Sequence, residues 1–284
     1  MLVGTTVIVS ADEDSSIQGK SAIADISVSA EWAFFYDAET DEVVAENGEP
    51  FEFEEIEFEI PTAGNSENES GISTADISFE LYIVRAGLKK TANGTFTWWF
   101  NTDCPTSPLN KPNIKVTVQL QGNFTTGRSF LDIEDPKHHT YKTNAEYGAD
   151  YTWTSTAKTG YYRFKCTVID YDNGGTSQSK NSSSNLINKT GHVWNFTFSD
   201  TASGKSLPKP PANYKKGATY SRPSNLAETY YNTYKQNTGK SLTRSLYDIH
   251  HIKPLAYGGS NDYINLIHLP KATHKSVTSW WAGY

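Results

Sequence analysis

Apolar and polar residues alternate through most of the first 200 positions. Tyr162, Phe164, Cys166 and Val168 fall on one side of an extended run while Arg163, Lys165 and Thr167 fall on the other, the period of two that marks a half-buried strand. Ile56, Phe58 and Ile60 alternate with glutamates in the same way, and Phe51 and Phe53 precede them in the opposite phase. That slip predicts a β-bulge at Glu54-Glu55. Further strands are expected at about residues 5–10, 26–36, 77–85, 94–101, 114–121, 151–155 and 192–199, separated by turn-forming clusters at 63–73 and 173–185. Many short strands with polar turns and no helical period predict a mainly β N-terminal region, folded as one or two antiparallel sandwiches.

The pattern changes near residue 204. Residues 204–221 collect Pro, Lys, Gly and Ser with almost no large aliphatics, the composition of a linker. Arg222-Pro223-Ser224 then opens a helix, with Ser224 as its cap and Leu226, Tyr230, Tyr231 and Tyr234 at helical spacing up to about Gln236. Gly239 stops it. Beyond lie a short strand at 247–252, a tight polar loop at 254–265, a returning strand at 266–269 and a helix at 271–281. The expected organisation is an acidic β-rich domain at 1–100, a β-sandwich domain at 101–203, the linker, and a small α+β module of ββα type at 222–284. That module, cut free near Lys209, is expected to stand alone.

Charge separates these parts more sharply than the net value of -7 conveys. Residues 1–100 carry 20 Asp/Glu against 4 Lys/Arg, residues 101–203 carry 9 against 10, and residues 204–284 carry 3 against 11. Phosphates attract the last part and are repelled by the first, so any contact with nucleic acid is confined to the C-terminal part. No stretch approaches the roughly 20 apolar residues of a membrane span. Residues 1–10 are apolar but lack a basic flank and a small-residue cleavage site, so they read as a strand and not as a signal peptide. Cys104 and Cys166 are compatible with one disulfide or with two buried thiols.

The C-terminal module carries the candidate chemistry. Its strand-loop-strand-helix order sets the pair His250-His251 opposite His274 on the helix, where imidazoles can converge on one cation. Neighbours on a strand point to opposite faces, so one histidine of the pair can hold the ion while the other stays free as a base near neutral pH. His138-His139 lacks this context and reads as structural. Gly258 and Gly259 read as turn residues, and Trp280 and Trp281 as helix packing.

Asp248 stands two before the pair, Pro254 three after it, Gly258-Gly259 in the loop, Asn265 just before the second strand, and His274 nine after Asn265. Over residues 248–281 this combination resembles the HNH, or His-Me finger, endonucleases, closest to the colicin-type bacterial nuclease toxins. The resemblance implies that His250 and His274 ligate a divalent metal, that His251 is the general base, that Asn265 braces the loop and the base, and that Asp248 orients the site. It also implies hydrolysis of phosphodiester bonds, in DNA rather than RNA. Lys253, Lys271, Lys275 and Arg244 are close enough in sequence to grip flanking phosphates, and His268 is assigned a supporting or substrate-contacting role.

Where the colicin-type pattern places a further histidine one turn after the helical ligand, this chain has Thr278. A looser site for Mg²⁺ or Mn²⁺ is therefore expected, although two imidazoles also suit Zn²⁺ or Ni²⁺. A toxin of this kind implies an acidic immunity or docking protein as partner, and delivery out of the producing cell without a visible signal peptide. The other function class is a structural or adhesive β-sandwich protein, such as a phage-tail or secretion component, with an accessory HNH unit.

Overall fold

The inward rows of the β region are the even-numbered positions that the alternation picks out. Ile56, Phe58 and Ile60, then Tyr82, Val84, Ala86 and Leu88, then Phe96, Trp98 and Phe100 face Ile114, Val116, Val118 and Leu120, and Tyr162, Phe164, Cys166 and Val168. The computed structural model that shows this describes residues 35–37, 42–44, 52–63, 77–92, 94–107, 111–217 and 220–284. The strand expected at 5–10, and all of that at 26–36 except its last two residues, lie outside them.

In chain order the elements are β1 (Phe35–Asp37), β2 (Glu42–Val44), β3 (Glu52–Ala63), β4 (Ile77–Ala92), β5 (Thr95–Asp103), β6 (Ile114–Asn123), β7 (Leu131–Asp132) and β8 (Lys137–Tyr141). There follow β9 (Tyr151–Thr156), β10 (Gly160–Asp170), β11 (Thr176–Asn181), β12 (Asn185–Ile187), β13 (Ser199–Asp200) and β14 (Lys205–Ser206). The chain ends with α1 (Leu226–Thr238), β15 (Tyr247–His251), β16 (Leu266–Pro270) and α2 (Lys271–Ala282).

One antiparallel sheet has the order β3-β4-β5-β9; the other runs β11-β10-β6-β7, with β12 also on β10 and β8 also on β6. Their inner faces share one apolar core. They therefore form a single sandwich, and the expected boundary at residue 100 falls inside β5. A buried hydrogen bond crosses it: Tyr82 Oη donates to Asp170 Oδ2 at 2.6 Å, and the same carboxylate accepts from the backbone of Asp172 and Asn173. Cys104 and Cys166 are both buried and free.

Three local expectations change. No bulge occurs at Glu54-Glu55, because β3 pairs with β4 in unbroken register. Glu54 occupies the inner row at its polar end, where its carboxylate accepts from the Ser183 backbone and hydroxyl, so the strand needs no slip. The register shift lies instead between β4 and β5, at Lys90/Ala92. The strand expected at 192–199 is a single bridge, Ile187 to Val193, followed by an unladdered stretch in which Trp194, Phe196 and Phe198 pack. The first helix is capped at Asn225, one residue after Ser224, and ends as expected with Gly239 in the left-handed region at φ 69°.

The C-terminal ribbon β15–β16 is covered on both faces. Ile249 and Leu266 meet Leu226, Tyr230 and Tyr234 of α1. Ile267 and Leu269 meet Val277, Trp280 and Trp281 of α2, together with Leu186, Trp194 and Leu207 from upstream. Residues 204–221 are thus more than a tether, since Leu207 is buried and Tyr214 stacks on Trp281 at an interplanar angle of 12°. Of the large residues in this polar stretch Leu207 and Tyr214 pack, whereas Tyr220 is exposed.

Asn188, fully buried beside β12, ties the two regions together. Its Nδ2 donates to the Trp280 carbonyl at 2.9 Å, and its Oδ1 accepts from the Thr190 and His192 backbones. Trp280 Nε1 donates to the His192 carbonyl at 3.0 Å. The described residues accordingly fall in one compact unit.

Asn188→Ala should destabilise the chain by about 2–3 kcal/mol in urea unfolding, the scale of leaving several buried polar groups unpaired. Residues 210–284 alone should show no cooperative thermal transition, in contrast to the full chain. A cooperative fragment would mean that Leu186, Trp194 and Leu207 are dispensable.

Candidate functional site

The two strands of the ribbon are short and in simple register, with His251 opposite Leu266, His250 opposite Ile267 and Ile249 opposite His268. Pro270 ends β16, and α2 begins at the next residue, which brings its first turns back over β15. His250 and His251 consequently part company. His250 faces α2, where its ring centre lies 5.4 Å from that of His274 at an interplanar angle of 74°. His251 faces the loop, and its Nε2 lies 2.9 Å from Asn261 Oδ1.

The His250–His274 spacing suits a shared cation. Imidazole nitrogens at 2.0–2.1 Å from one ion put the two ring centres about 5 Å apart. Two further observations fit. His250 Nε2 is buried and has no hydrogen-bond partner, whereas buried polar atoms are ordinarily satisfied. Asp248 Oδ2 lies 3.3 Å from His274 Nδ1, an arrangement that favours the proton on Nδ1 and leaves the Nε2 lone pair for a ligand. Thr278 is exposed on the next turn of α2. Among the described residues no group of three or more His, Cys, Asp or Glu side chains is gathered to hold a metal, so the candidate donor set is two imidazoles with one supporting carboxylate.

Burial works against protonation of both histidines of the pair. Burial pushes His250 down to about 3, and the neighbouring His274, His251 and Arg222 push the same way. Burial also lowers His251, partly offset by its bond to Asn261 and reinforced by Arg222. Neutral imidazoles are the form that binds metal or accepts a proton.

The loop is closed by Asn265. Its Oδ1 accepts from the Lys253 backbone at 2.9 Å, while its Nδ2 donates to the Lys253 and Ser260 carbonyls at 3.0 and 2.8 Å. Gly259 is buried under this clamp, where a Cβ would overlap the Lys253 carbonyl oxygen. Gly258, at φ 80°, makes the turn. Asn265 thus braces the loop as expected, but the side chain on His251 is Asn261. Asx residues are common in any loop, and nothing local marked this one.

Other expected residues divide. Lys271 and Lys275 are exposed on α2, and half-buried Lys253 lies with its ammonium 5.0 Å from the Tyr214 ring centre. Arg244, exposed, pairs with Glu228 of α1 at 2.5 Å and lies over Tyr231. His268 reaches no open surface, being 3% exposed amid Phe198, Tyr234 and Tyr247. Tyr230 Oη accepts the His268 backbone N–H at 3.2 Å and lies 3.0 Å from its Nδ1.

Two cations were not foreseen. Exposed Arg222 donates to the Ile249 carbonyl at 3.3 Å, immediately before the histidine pair on β15. Lys205 donates to the carbonyls of Tyr263 and Leu266 and lies 3.4 Å from the Tyr263 ring centre, pinning the loop's exit from upstream. No helix among the described residues is long and apolar enough to cross a membrane. No protein family, curated protein or solved structure matches this chain.

Burial holds His268 below its usual pKa, so the unfolded chain takes up a proton that the folded one refuses. The stability it confers is present above the unfolded value near 6.5 and is lost as pH falls through that value towards the lower folded one. Urea midpoints at pH 7 and 5 should therefore differ less in His268→Phe than in the native chain. An equal difference in both would deny His268 this role.

Proposed function

We propose that the C-terminal module is a metal-dependent phosphodiester hydrolase of the HNH type acting on nucleic acid, with DNA the favoured substrate. The observation that carries the reading is the division of the histidine pair: His250 is turned to His274 with an unpartnered buried nitrogen, and His251 is turned to Asn261. The sequence likeness over residues 248–281 supports it, as do the cations around the site. A divalent ion such as Mg²⁺ or Mn²⁺, or alternatively Zn²⁺ or Ni²⁺, held by His250 and His274, would supply Lewis-acid polarisation of the phosphate and charge neutralisation at the leaving oxygen.

The chain's own residues divide the remaining work. His251 takes a proton from the attacking water, which a neutral imidazole can do near pH 7. Asp248 orients His274 through Nδ1. Asn265 and Gly259 hold the loop so that His251 and its partner keep their positions. Arg222, Lys253, Lys271 and Lys275 supply positive charge for flanking phosphates, and the 11 Lys/Arg against 3 Asp/Glu of residues 204–284 suit an acidic neutralising partner as in a bacterial toxin.

A second reading, a structural or adhesive β protein with a degenerate unit, is favoured by Thr278, a residue that is no imidazole and is exposed where the resemblance expects a third ligand. Plasmid nicking by the full chain with Mg²⁺ or Mn²⁺, and its loss with chelator, separates the two. His251→Ala should cut nicking by about 10²- to 10⁴-fold while calorimetric metal affinity stays within about threefold. His250→Ala should lose metal affinity. Loss of affinity in His251→Ala with affinity kept in His250→Ala would exchange the two roles, equal losses would deny His251 a role apart from the metal, and a native chain that never nicks with any of the four metals would leave the structural reading standing.

A further inference from the structure

The hydrogen bonds around Asn261 leave no freedom in the direction of its amide. Its Nδ2 donates to the Ser221 carbonyl at 2.9 Å, and a carbonyl oxygen can only accept. The amide oxygen therefore faces His251, at 2.9 Å from Nε2. An amide oxygen also only accepts, so Nε2 must carry the proton. We infer that Asn261 is a positioning residue that fixes His251 in the Nε2–H form and makes Nδ1 the atom that receives the proton from water.

The source of this control lies outside the loop. Ser221 precedes α1, and its neighbour Arg222 is fastened to the ribbon through the Ile249 carbonyl. The strap at 221–222 thus sets the amide, and the amide sets the imidazole. In solution a neutral imidazole exchanges between its two tautomers, and only the form with a bare Nδ1 serves a base whose Nε2 is engaged. Asn265 cannot substitute, because its amide is consumed by Lys253 and Ser260.

The role as base rests on the nuclease reading, whereas the tautomer does not, and one experiment reads them apart. Nitrogen-15 correlation spectra of the histidine-labelled full chain, without metal and above the pH at which His251 is protonated, report which ring nitrogen bears the proton. The His251 signals are assigned by their loss in His251→Gln. The native chain should show a protonated Nε2 and a bare Nδ1 at the two limiting shifts. Asn261→Asp, which keeps an acceptor, should retain that pattern, and Asn261→Ala should move both signals towards averaged values.

In the nicking assay Asn261→Ala should lose about 10- to 100-fold in kcat with little change in KM, as removal of a ligand-orienting or base-orienting partner does, and Asn261→Asp should recover most of it. Averaged signals or a protonated Nδ1 in the native chain would overturn the inference whatever the activity. So would unchanged signals in a folded Asn261→Ala. The limiting pattern in a chain that never nicks would uphold the tautomer and overturn only the nuclease reading.

Discussion

A two-stranded ribbon has two faces and no interior, so it is marginal on its own and must be covered on both sides. The ribbon β15–β16 meets this constraint with α1 on one face and α2, joined by Leu186, Trp194 and Leu207, on the other. Everything else about the C-terminal region follows from that arrangement. The cover on the α2 side is supplied partly by residues that precede the ribbon by about 40 to 60 positions, which is why Asn188 and Trp280 join the region to the sandwich instead of leaving it on a hinge. Burial this thorough also removes the histidines from water, and desolvation is the largest cause of the lowered affinity for protons at His250, His251 and His268.

The same constraint explains how three buried histidines in 19 residues are tolerated. Each neutral ring still has two nitrogens to satisfy, and burying an unpaired polar group costs about 1–3 kcal/mol. At His268 the Tyr230 hydroxyl answers one of them, inside a cage of aromatic rings. At His251 the answer is Asn261. Among these three His250 Nε2 is the exception, and it belongs to the ring turned towards another imidazole. His139 Nε2 is likewise buried without a hydrogen-bond partner, but its ring stacks on Tyr151 at 4.2 Å and its Nε2 lies 3.9 Å from the Glu146 carboxylate.

What the sequence made legible was local and periodic. The inner rows of β3, β6 and β10 follow from alternation, and so does the opposed facing of His250 and His251, because both depend only on neighbours along the chain. Misreadings arose where a distant partner decides. Glu54 looked like a break in phase because its carboxylate is satisfied by Ser183, 129 residues away. Residues 204–221 have a linker's composition, yet Leu207 and Tyr214 are captured by α2 and its C-terminal end. For the candidate site, the histidines stood out through their spacing, whereas Asn261, Arg222 and Lys205 did not, since each acts on a group 27 or more positions away or on a histidine that only the fold brings near.

Asn265 has a consequence for tolerated changes in chain length. Strand side chains alternate strictly, so a slip of the ribbon by one residue would carry His250 to the loop side and His251 to the helix side. The clamp from Asn265 to Lys253 and Ser260 fixes how many residues span the loop and hence which rung of the ladder each histidine occupies. A single insertion between Lys253 and Asn265 would act less like a lengthened loop than like a misread frame, delivering two intact imidazoles to each other's address.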